Sequence, residues 1–173
     1  MVGSSQRSSR RDRVAALYRA YGYVVLRRGR RLLGSESEAE ELLQETFAAL
    51  LVDDRVELDA IEQPAAWLYA AATRRALNQL RDRATRGRLL AERVVPALDW
   101  TSQPRGDRIA EMAQLLGALP TDQAEAVVYF VVDQLTHDEI AAQLGCSRRH
   151  VGNLLARGLA ALRTVAPARE AAL

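Results

Sequence analysis

Apolar residues recur at helical spacing along most of this chain, and runs of β-branched residues are short. The pattern therefore predicts helices. It is clearest from Leu135 to Arg163. Thr136, with Glu139 three residues later, has the form of a capping box that opens a helix. Ile140, Ala141 and Leu144 supply that helix with an apolar stripe. Gly145 stands where a helix ends in a left-handed conformation, and Ser147 is placed to cap the next one. Val151, Leu155, Gly158 or Leu159, and Leu162 then recur at helical spacing, leaving Arg148, Arg149, His150, Asn153 and Arg157 on the outer face. Two helices about a tight turn, the second basic on its exposed side, make a helix-turn-helix pattern suited to DNA.

Upstream, a first helix is expected over Val14 to Leu33, with Leu17, Tyr21, Val24 or Val25, and Leu32 on one side and a break at Gly34 and Ser35. A second starts among Ser35 and Ser37, each with a glutamate three residues on, and turns Leu42, Leu43 and Phe47 inward. Asp53 to Gln63 reads as an acidic loop, and Pro64 opens a third helix in the first-turn position that proline tolerates. Residues 84–107 hold Gly87, Pro96, Pro104 and Gly106 without a sustained period, apart from a short helix over Leu89 to Val95. Fully extended, such a linker reaches at most about 80 Å. A helix ending at Leu119, then Pro120 and a helix from Thr121 to Asp133, precede the helix-turn-helix.

The expectation is an all-α chain of two small helical domains joined by a flexible linker, the C-terminal one containing the helix-turn-helix. Its divisions are a disordered basic N-terminus (1–12), a first domain (13–83), the linker (84–107), the helix-turn-helix domain (108–165) and a tail (166–173).

Composition narrows the function. Apolar residues make up 49% of the chain, enough for real cores, yet no window approaches the roughly 20 apolar residues that span a bilayer. The first residues carry charge with no apolar stretch behind them, unlike a secretory signal. Cys146 is the single cysteine, no Cys/His cluster has metal-ligand spacing, and a reducing cytoplasm fits. No cofactor is implied, and the absence of a nucleophile–base pairing or glycine-rich phosphate loop argues against an enzyme.

The net charge of +2 conceals blocks of opposite sign. Residues 7–31 carry nine arginines against Asp12; residues 36–62 carry ten acidic groups against Arg55; residues 74–93 carry seven arginines against Asp82 and Glu92. Such blocks are either solvated helix faces or surfaces for different partners. Arg74, Arg75, Asn78 and Arg81 lie at helical spacings that can track phosphates, although cations near a helix C-terminus are favoured there in any case.

Several segments together resemble one family. Glu38 to Leu50 resembles the polymerase-clamp helix of bacterial sigma factors, Pro64 to Arg81 the helix that handles the melted minus-ten element, and Leu116 to Leu155 the domain that reads the minus-thirty-five element. Their order and short linker resemble the extracytoplasmic-function (ECF) type of the sigma-70 family. The resemblance implies that Glu41, Gln44 and Glu45 dock on the clamp helices of the largest subunit of core RNA polymerase, with the polymerase flap as a further contact. It implies that Trp67, Arg74, Arg75, Asn78 and Arg81 meet minus-ten DNA, with Trp67 a stacking platform or else a core residue. Arg148, Arg149, His150, Asn153 and Arg157 would meet minus-thirty-five DNA. An anti-sigma factor enters as a possible partner. The chain departs from the family at Gly152, Asn153 and Leu154, where Lys, Ser and Arg are frequent, and in its acidic loop, which is poor in the basic and polar residues expected near a flipped base. A sigma factor is the leading expectation. A sigma-like regulator that dimerises through exposed apolar positions such as Leu154, or a polymerase-binding decoy, stand as alternatives.

Overall fold

A computed structural model describes residues 2–91 and 106–165, with side chains over 10–86 and 112–164. Among the described residues all regular secondary structure is helical, without strands. The helices are α1 (Val2–Leu33), α2 (Glu36–Val52), α3 (Pro64–Ala91), α4 (Gly106–Gly117), α5 (Thr121–Val127), α6 (His137–Leu144) and α7 (Arg148–Val165). A short 3-10 turn, Leu58–Ala60, lies between α2 and α3, and a π-helical turn, Val128–Val132, follows α5. The chain divides into two compact units, one up to Ala76 and one from Leu77 onward.

In the first unit, α1 and α2 form a close helical hairpin. A Cβ at Gly29 would stand 2.9 Å from the Cα and Cβ of Ala39, so the two backbones approach as nearly as small residues allow. The corner is built locally. Gly34 adopts φ 72°, Ser35 caps α2 by accepting from the Glu38 amide, and Arg30 grips Glu36 with both arms of its guanidinium. That fork lowers the Glu36 carboxyl below its ordinary range and raises Arg30. Val25, Leu32, Leu42, Phe47 and Leu68 are buried among its core residues. Arg28 joins them at 2% exposure. Its Nε donates to Thr73 Oγ1 at 2.8 Å, and its guanidinium lies 4.2 Å over the Tyr69 ring.

The N-terminus differs from expectation. Residues 2–12, expected to be disordered, continue α1. Arg10 shows why: its Nε donates to the Leu50 carbonyl at 2.8 Å and its Nη2 to the carbonyls of Asp53 and Val56. The C-terminus of a helix leaves carbonyls without intrahelical partners, and a guanidinium from a neighbouring helix answers several of them.

The second unit begins within α3, which runs to Ala91, eight residues beyond the end expected at Arg83. Here a Cβ at Gly117 would stand 2.7 Å from the Leu80 carbonyl oxygen, so α4 rests directly on the later turns of α3. The stretch expected as one helix from Thr121 to Asp133 is instead α5 followed by the π-helical turn, with the Asp133 amide bonded to the Val128 carbonyl. Of the short helix that the sequence predicts over Leu89 to Val95, the first residues are part of α3, and 92–95 lie outside the described residues, as does most of the predicted linker.

Candidate polymerase and nucleic-acid interfaces

The helix-turn-helix has the local chemistry read from its sequence. Thr136 accepts from the Glu139 amide, and the Glu139 carboxylate accepts from the Thr136 amide at 2.8 Å, a complete capping box. The bonds donated to the Glu139 carboxylate, first by the Thr136 amide and then by the Thr136 hydroxyl at 2.7 Å, hold that carboxyl below its ordinary range. Gly145 closes α6 at φ 63°, and Ser147 Oγ accepts from the His150 amide at 3.2 Å to start α7. Val151, Leu154, Leu155 and Gly158 then face inward, while Arg148, Arg149, His150, Asn153 and Arg157 are exposed. The five polar residues thus share the outer side of one helix. Arginine can pair with guanine through two parallel hydrogen bonds and asparagine with adenine, so this face carries donors and acceptors of the kind that read base edges.

Two neighbours were not legible beforehand. Asp138, in the first turn of α6, lies 3.7 Å from Arg148 across the turn; only the three-dimensional corner brings them together. Leu154, raised as an exposed dimerisation position, is 4% exposed and belongs to the core. That removes the contact on which a Leu154-mediated dimer would rest. His137 is half-buried with its ring 5.6 Å from that of Phe130, and Cys146 in the turn is half-buried as well.

On α2, Glu41, Gln44 and Glu45 are exposed together, opposite the buried Leu42, Leu43, Thr46 and Phe47. Spacings of three and four residues put them on one side of the helix. Carboxylates concentrated on such a face complement a basic partner surface.

The α3 residues are divided. Trp67 is half-buried, Arg74 exposed and Arg75 half-buried, all in the first unit. Asn78 and Arg81 fall in the second, and both are engaged there by one hydroxyl. Arg81 Nη1 donates to Thr121 Oγ1 at 2.8 Å, and Thr121 Oγ1 donates to Asn78 Oδ1 at 3.0 Å. Sequence alone offered no sign of this arrangement, because the partners lie 40 and 43 residues apart.

Among the described residues no helix is long and apolar enough to cross a membrane, and no group of His, Cys, Asp and Glu could hold a metal ion.

Known proteins match the same two stretches. Residues 17–86 match the family described as Sigma-70 region 2, and residues 109–162 that described as Sigma-70, region 4. The RNA polymerase sigma factor NccH of Alcaligenes xylosoxydans xylosoxydans is 28% identical over 83% of this chain and 84% of its own. The ECF RNA polymerase sigma factor SigE of Mycolicibacterium smegmatis is 31% identical over 85% of this chain, which spans 59% of that protein's length. In a solved structure of CnrH in complex with the cytosolic domain of CnrY, the match covers 95% of this chain and 94% of that one, at 23% identity and TM-score 0.49.

Proposed function

We propose, for a chain that belongs to the sigma-70 family and is of its extracytoplasmic-function type, that it binds core RNA polymerase and directs it to promoters with a minus-ten and a minus-thirty-five element. One observation carries this reading: a single chain exposes an acidic helix face at Glu41, Gln44 and Glu45 and a basic one at Arg148, Arg149, His150, Asn153 and Arg157. The first suits the basic surface of a protein partner, the clamp helices of the polymerase's largest subunit. The second suits the major groove at the upstream element, some of its arginines reading bases and others holding phosphates. Trp67, Arg74 and Arg75 on α3 supply an aromatic platform and cations for the melted minus-ten strand. The family resemblance assigns Asn78 and Arg81 to the same element; in the second unit both hydrogen-bond to Thr121.

In this role the chain supplies recognition and strand capture while the polymerase forms the phosphodiester bond. The flap of the polymerase is a second docking point for the C-terminal domain. An anti-sigma factor would act by covering one of the two faces. The place of action is the cytoplasm, where polymerase and promoter are found.

The purified chain mixed with core polymerase should give run-off transcripts from the DNA upstream of its own gene. A stable complex without transcripts would favour a decoy. No complex at all would sink the sigma reading and leave a stand-alone DNA-binding regulator.

A further inference from the structure

The acidic segment between α2 and α3 is held from outside itself. Asp53, Asp54, Glu57, Asp59 and Glu62 lie within it, and residues 53–60 are exposed except for Val56 and Leu58, which are half-buried. Within it the Val56 amide donates to the Asp53 carbonyl, the Ala60 amide to the Glu57 carbonyl and the Arg55 amide to the Asp53 carboxylate. What converges on it is α1. Arg10 donates to three carbonyls, those of Leu50, Asp53 and Val56, and lies 4.0 Å from the Asp54 carboxylate, while Arg13 pairs with Asp59.

The exposures separate the two arginines. The Arg10 side chain is 18% exposed and Asp54 95%, so backbone carbonyls rather than a solvated ion pair hold the guanidinium. Arg13 and Asp59 are both well exposed, and exposed pairs contribute little. A planar fork with five donors can bridge carbonyls from a helix end and the segment that follows it; a lysine ammonium lacks that reach and shape.

We infer that Arg10 is a positioning residue for minus-ten recognition, fixing the segment from Asp53 to Ala60 ahead of α3 and Trp67 before DNA arrives. This rests on the promoter reading above. Ordering a loop at the moment of strand opening would cost conformational entropy residue by residue. A segment already held by α1 avoids that cost, which is the general advantage of preorganisation. Arg13 adds a smaller, electrostatic part by offsetting Asp59, which would otherwise face phosphates with the other carboxylates.

The test compares full-length variants with core polymerase on two templates: a duplex promoter, and the same promoter pre-opened by mismatches over the minus-ten element. Arg10→Met keeps the apolar stem and removes every donor. It should lower run-off from the duplex about tenfold, as expected for lost hydrogen bonds of a charged group, yet stay within about twofold of the parent on the pre-opened template. Arg10→Lys should fall between the two, and Arg13→Gln should change duplex run-off by less than about threefold. Equal loss by Arg10→Met on both templates would overturn the positioning role in favour of a folding one, and undiminished run-off from the duplex would overturn it outright. Run-off absent from the unmodified chain on both templates would instead overturn the promoter reading, and this role with it.

Discussion

Gly152 and Gly158 lie within two turns of one another on α7 and answer different demands. A Cβ at Gly158 would stand 2.9 Å from Cγ2 of the buried, β-branched Val127 and 3.5 Å from the Gln123 carbonyl, so the glycine is what lets α5 and α7 touch. A Cβ at Gly152 would meet nothing within 4 Å. Gly158→Ala should therefore destabilise by about 1–3 kcal/mol through overpacking, whereas Gly152→Ala should stabilise by about 1 kcal/mol through helix propensity alone. Denaturant unfolding of the two variants checks this, and shifts of the same sign would refute it. Legibility at this scale depended on how far away the partners are. Thr136, Glu139, Gly145 and Ser147 were readable because their partners lie within a few residues. Arg28 was read only as part of a basic block, since Thr73 and Tyr69, more than forty residues on, are what make its burial tolerable. Gln134 adopts φ 56°, a left-handed conformation costly to a residue with a Cβ, and nothing around it in the sequence marks it.

For whole elements, periodicity placed most helices and missed their ends. The α5 segment is the instructive failure. Its apolar run reads as continuous helix, but the π-helical turn inserts an extra residue and turns Phe130 and Val131 out to 40% and 55% exposure. The start of α6, by contrast, follows from its capping box, and that box has a pH signature. Glu139 binds its proton less readily in the folded chain than in the unfolded one, because the ionised form accepts from Thr136. The contribution is complete above the ordinary carboxylate range and is lost as pH falls through the lowered folded value. Glu139→Gln keeps an acceptor without the charge. The parent should melt above this variant at neutral pH, with the gap closing as the solution is acidified through the carboxylate range. A gap that stays constant would show that the charge plays no part.

Across the whole molecule, a net charge of +2 says little, because the fields that matter are separated along the chain. The double substitution Glu41→Arg with Glu45→Arg inverts the acidic face at exposed positions. It should weaken the complex with core polymerase by about tenfold or more while leaving the chain's own affinity for upstream DNA within about twofold. Equal weakening of both would mean that this face is not a separate docking surface; binding assays with each partner distinguish the cases.

The sequence by itself determined the all-helical class, the order of the helices, the capping of the helix-turn-helix and the outward set from Arg148 to Arg157, because each follows from chemistry within a turn or two of helix. Only the tertiary structure decided that Arg10 and Arg13 serve the chain itself. It also decided that Asn78 and Arg81 meet Thr121, and that Leu154 is core. Those outcomes depend on which helix lies beside which. A basic block reads identically whether its counterion is a nucleic acid or an acidic segment of the same chain, until the fold sets Arg10 against the carbonyls that end α2.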